Sequence, residues 1–73
     1  MIKFYVEIIN DLGIFKCSIM EGSLDEVNEF KSNISKIYLS NDIFTEELQD
    51  GNYIVMNKEI INKSIFKLII LNG

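Results

Sequence analysis

Ile2-Lys3-Phe4-Tyr5-Val6-Glu7-Ile8-Ile9-Asn10-Asp11-Leu12-Gly13-Ile14-Phe15-Lys16-Cys17-Ser18-Ile19 is the stretch that decides the fold. In its first half Ile2, Phe4, Val6 and Ile8 fall on one side, while Lys3, Tyr5 and Glu7 fall on the other. That period of two is the signature of a strand with one buried face. Asn10-Asp11-Leu12-Gly13 is turn chemistry, built from residues that tolerate positive φ. Alternation then resumes, with Phe15, Cys17 and Ile19 on one face and Lys16 and Ser18 on the other. A connection this short joins antiparallel strands, so the segment reads as a hairpin with one apolar face.

Something must cover that face, and the next residues supply it. Gly22 interrupts the strand pattern, and Ser23-Leu24-Asp25-Glu26 opens a helix. Ser23 suits the N-cap, Glu26 completes a capping box three residues on, and Asp25 and Glu26 oppose the positive end of the helix dipole. Leu24, Val27, Phe30 and Ile34 recur at spacings of three and four, which makes one apolar stripe. Asn33 is suited to terminate the helix. Lys36 to Ser40 reads as a short strand, with Ile37 and Leu39 on one face. Residues 41–49 fit either one helical turn or a strand; Asp50-Gly51 is a hairpin signal, which favours a strand paired with Asn52 to Asn57. Ser64 to Leu71 closes the chain as a strand apolar on both faces, the pattern of a strand that is central in a sheet or lies at an interface.

These elements predict a single α+β domain over residues 1–73: a small antiparallel sheet of about five strands, in the order ββαβββ, with one helix packed on one face. The expected core is Phe4, Val6, Phe15, Cys17, Leu24, Val27, Phe30, Ile37, Leu39, Phe66 and Leu68.

The composition works mainly by exclusion. The 73 residues include no Arg, His, Pro, Trp or Ala, and eleven acidic groups outweigh seven lysines for a net charge of -4. A chain of this size buries only about 60% of its unfolded surface, so its stability is marginal without further help. The single cysteine, Cys17, rules out an internal disulfide, and the lack of histidine leaves no ligand set for structural zinc. Self-association is then the leading source of extra stability. One helix covers one face of the sheet, so Ile65, Ile69 and Leu71 on the other face of the last strand are the expected homodimer contact. The first residues lack the features of a signal peptide, and the longest apolar run, Leu68 to Leu71, is far too short to span a bilayer. With one unpaired thiol, this reads as a soluble cytoplasmic protein with no membrane association.

Catalysis finds no support. General acid–base chemistry at neutral pH most often relies on histidine, which is absent. Cys17 has no base near it in sequence and reads as a small buried hydrophobe. Glu46 and Glu47 are adjacent on a strand, so they point to opposite faces and cannot share a substrate. The glycines at 13, 22, 51 and 73 never cluster into a phosphate loop, and the acidic run from Asp42 to Asp50 lacks the spacing of a calcium loop. No cofactor or metal is expected. Direct nucleic-acid binding needs a basic face, and the sequence pI is about 4.6. What remains is binding to another protein. The expected contact is an acidic surface of Asp25, Glu26 and Glu29 on the helix with Asp42, Glu46, Glu47 and Asp50, set against a basic partner.

Fourteen isoleucines, eight asparagines and seven lysines point to an AT-rich genome. In this composition, and not in any motif, the chain resembles the small accessory proteins of phages and mobile elements of AT-rich bacteria. Some of those inhibit host defence systems such as CRISPR effectors, so the resemblance implies an inhibitor. The alternatives are a self-associating structural module and a dimer that binds a small ligand.

Overall fold

The computed structural model describes residues 1–71. In chain order its elements are β1 (Ile2–Asn10), β2 (Gly13–Lys16), β3 (Met20–Gly22), α1 (Leu24–Ile37), β4 (Phe44–Glu47), β5 (Tyr53–Met56), α2 (Lys58–Asn62) and β6 (Ile65–Ile70). The fold is α+β with antiparallel pairing throughout. It holds a four-stranded sheet and a two-stranded ribbon where one sheet of about five strands was expected.

β1 is the central strand. β6 runs along one edge from Phe4↔Ile70 to Ile9↔Ile65, and the other edge is shared by β2 and β3. Those two are halves of one bent strand. The Cys17 N–H donates to the Val6 carbonyl at 2.9 Å, whereas Met20 lies opposite Phe4. Ser18 and Ile19 therefore oppose Tyr5 alone, which is a β-bulge. The bulge re-aims the strand, so Ile19 is exposed although the alternation put it with Cys17 on the buried face. It also turns the backbone toward the β4–β5 ribbon: Ser18 N–H donates to Glu47 O, Gln49 N–H donates to Lys16 O, and Cys17 bridges Leu48. This bridge links sheet and ribbon.

Residues 44–47 form the strand that the Asp-Gly signal favoured. The Leu48 N–H donates to the Asn52 carbonyl at 2.7 Å, and Gly51 between them takes φ 88°, a left-handed conformation that a side chain would strain. α1 begins at its capping box, with Glu26 N–H donating to Ser23 Oγ at 3.2 Å and Ser23 N–H to Glu26 Oε1 at 3.0 Å. It does not stop at Asn33. The segment expected as a strand from Lys36 is the last turn of α1 and its cap, because Ile34 and Ile37 continue the apolar stripe and pack on the core. A residue distant in sequence completes that end: Lys58 Nζ donates to the carbonyls of Tyr38 and Ser40, a cation at the negative end of the dipole. Tyr38 OH donates to Ser64 O at 2.6 Å and its ring meets Phe66 edge-on, so the end of α1 is tied to the start of β6.

A second, five-residue helix, α2, was not foreseen; Asn57 caps it by accepting the Ile60 N–H at 3.0 Å. β6 is not central, since among the described residues it pairs only with β1. The core gathers Val6, Ile8, Cys17, Met56 and Ile61, with Phe30, Ile34, Ile37, Phe66 and Leu68 packed against it. Leu24 and Leu39 were expected there and are instead exposed, at the two ends of α1.

Candidate protein-interaction site

α1 lies over the inner face of the sheet, where its Phe30 ring meets Phe4 at 5.4 Å in an edge contact. Helices pack by filling the grooves beneath them, and here the filling is incomplete on one side. A cleft of about 170 Å³ remains between α1 and β4, floored by Val6 and Cys17 and walled by Phe30, Ile34, Phe44 and Phe66. Glu46 and Asn33 supply its polar groups. A shallower groove continues from it between α1 and β3, where Glu21, Glu26 and Glu29 join Phe4. The two depressions share Met20, Phe30 and Asn33, so they form one apolar trough with carboxylates along it.

This geometry redistributes the acidic residues singled out in the sequence. Asp25, Glu26 and Glu29 lie exposed on the first turns of α1, and Glu26 and Glu29 line the groove. The cap holds Glu26: the backbone and then the side-chain hydrogen bond to Ser23 lower its pKa. On β4 the half-buried Glu46 enters the cleft beside Phe44, while Glu47 is exposed, as alternation along a strand requires. Asp50 sits in the β4–β5 turn, accepting from Asn52 N–H at 2.9 Å and from its side-chain amide at 3.1 Å. Asp42 is exposed in the loop before β4. Of the acidic residues at 42–50, Glu46 alone lines the trough with those of the helix, and Asp42, Glu47 and Asp50 stand outside it. Glu21 belongs to it although nothing in its sequence neighbourhood marks that residue; its exposed ion pair with Lys3, at 3.6 Å, contributes little.

Cys17 lies at the floor of the cleft. Burial, and then the negative charge of Glu46, push its thiol up to about 11. A thiol held protonated at neutral pH is a poor nucleophile, so this residue packs as a hydrophobe. Among the described residues no three His, Cys, Asp or Glu side chains gather as metal ligands, and no helix is long and apolar enough to cross a membrane.

The opposite face of the sheet is uncovered by α1 and has its own pattern. Ile65, Ile9 and Ile14 form one cross-strand row, Lys67, Glu7 and Lys16 the next, and Ile69 then lies opposite Tyr5. Ile65 is 59% exposed and Leu71 46%, while Ile69 is half-buried. No protein-family model, curated protein or solved structure matches the chain.

Proposed function

We propose that the protein is a non-enzymatic binding module that docks its acidic, apolar trough on a basic surface of another protein, inhibiting or regulating that partner by occupying the surface. The observation that carries this reading is the lining of the trough. Glu21, Glu26, Glu29 and Glu46 border a lining that includes Met20, Phe4, Phe30, Phe44 and Phe66, and among the described residues no lysine lines it. Aromatic residues and methionine are enriched in the cores of protein interfaces, and a one-sign rim speeds encounter with a partner of the other sign. A net charge of -4 adds to that steering and opposes direct contact with nucleic acid. An inhibitor of this kind agrees with the compositional resemblance to mobile-element accessory proteins and with residence in the cytoplasm.

The test is affinity capture at low and high salt with three baits: wild type, Glu29→Lys/Glu46→Lys, and Glu47→Lys/Asp50→Lys. The reading predicts a stoichiometric partner that the first double variant loses and the second retains. Equal retention by both double variants would refute it.

Self-association is a second reading, favoured by one observation: the uncovered face carries a row of three isoleucines across β6, β1 and β2. We propose a homodimer through this face, with Ile65, Ile69 and Leu71 at the contact. It leaves the trough free, so the two readings are compatible. A sedimentation-equilibrium mass equal to the monomer at high micromolar concentration would contradict it.

A further inference from the structure

The cleft beneath α1 has a size and chemistry that narrow what the partner brings to it. At about 170 Å³ it matches the ~150 Å³ apolar cavity that accepts a benzene ring. Its walls are Phe30, Ile34, Phe44 and Phe66, and the groups that interrupt them are the carboxylate of Glu46 and the amide of Asn33. Glu46 enters no ion pair among the described residues, and neither does Glu29 in the adjoining groove. An apolar pocket beside an unpaired carboxylate is complementary to an apolar group that carries a cation at its side.

We infer that the cleft receives one apolar side chain of the partner, aromatic or branched aliphatic, next to a lysine or arginine that pairs with Glu46. This rests on the protein-binding reading above and adds an anchor to it. The basic surface gives encounter and orientation, and the anchor gives residence time. The Asn33 amide, shared by cleft and groove, is positioned to hydrogen-bond the backbone of the same segment. The charge argument selects the occupant. A neutral apolar molecule would leave Glu46 partly desolvated and unpaired, and an unpaired charge at an apolar contact is costly.

Three pentapeptides separate the possibilities when titrated into the ¹⁵N-labelled protein at low ionic strength: Lys-Lys-Phe-Lys-Lys, Lys-Lys-Ser-Lys-Lys and Ser-Ser-Phe-Ser-Ser. The first should shift the amides of Cys17, Ile34, Phe44 and Glu46, and should bind about tenfold more tightly than the second, the factor expected for burying most of one aromatic side chain. Glu46→Gln should weaken the first several-fold and strengthen the third, whose binding would no longer leave a charge unpaired. Equal affinity of the two basic peptides would overturn the anchor while leaving the acidic docking surface intact. Absence of shifts with any peptide at millimolar concentration would overturn both. Cleft shifts with toluene but with none of the peptides would assign the cleft to a free apolar molecule, and would overturn the inference.

Discussion

Truncating Phe30 to alanine measures how far the helix closes on the sheet. From the sequence alone, a core phenylalanine at this position would cost about 3–5 kcal/mol to remove. The structure lowers that figure. Phe30 is half-buried and forms a wall of the cleft, so the space it vacates joins an existing opening and the penalty for a sealed cavity is largely absent. What remains is the transfer of a partly buried ring, about 1.5–2 kcal/mol, and the edge contact with Phe4, about 0.5–1 kcal/mol. The expected loss is about 2–3 kcal/mol, which in a domain of this size lowers Tm by roughly 10–20 °C. Ile8→Ala is the comparison. Ile8 has no exposed surface, and its smaller side chain should nonetheless cost more, about 3–4 kcal/mol. Urea unfolding followed by circular dichroism gives both values, with an unchanged m-value as the control for a two-state transition. A loss above 4 kcal/mol for Phe30→Ala, exceeding that of Ile8→Ala, would mean that the cleft is closed. A loss below 1 kcal/mol would mean that α1 does not rest on the sheet through Phe30.

Further expectations concern the thiol, the cap and the outer face. Cys17 should resist iodoacetamide at pH 8 in the folded protein and react readily in urea; because its pKa is raised on folding from about 9 to about 11, its contribution to stability is complete below pH 9 and is lost as pH rises toward 11. Ser23→Ala should cost about 1 kcal/mol by removing the cap. Glu26 has the opposite sign to Cys17: its pKa is lowered on folding, so its stabilising contribution is present above the unfolded value and fades as pH falls through the folded one, a loss that Glu26→Gln should abolish in an acid titration of stability. Ile65→Lys changes a residue that is 59% exposed, so it should dissociate a dimer in sedimentation equilibrium without altering the circular dichroism of the monomer. Retention of the dimer by this variant would move the contact elsewhere.

What could be seen in the sequence is what local chemistry determines. The start of α1 was legible because Ser23 and Glu26 satisfy each other's backbone within one turn. The strand at 44–47 was legible from Gly51, four residues beyond it. The far end of α1 was not, because its cap is Lys58, twenty residues away, and Ile37-Tyr38-Leu39 looks like strand when that lysine is ignored. α2 is too short to show a helical period, although Asn57 and Glu59 mark its start. The bulge at Ser18 and Ile19 depends on the register with β1, and period-two alternation contains no hint of it. The candidate site suffered most from this. Its acidic residues were grouped by nearness in sequence, whereas the carboxylates of the trough come together from α1, β3 and β4, which admits Glu21 and separates Glu46 from Glu47.

The docking surface itself is tested most directly by hydrogen exchange on the complex with a captured partner. Protection on binding should fall on residues 20–22, 26–37 and 44–46, which supply the carboxylates and most of the lining of the trough, and should leave residues 13–16 and 69–71, which line no part of it, as they are in the free protein. Protection confined to 13–16 and 69–71, with α1 and β4 exchanging as in the free protein, would contradict the account.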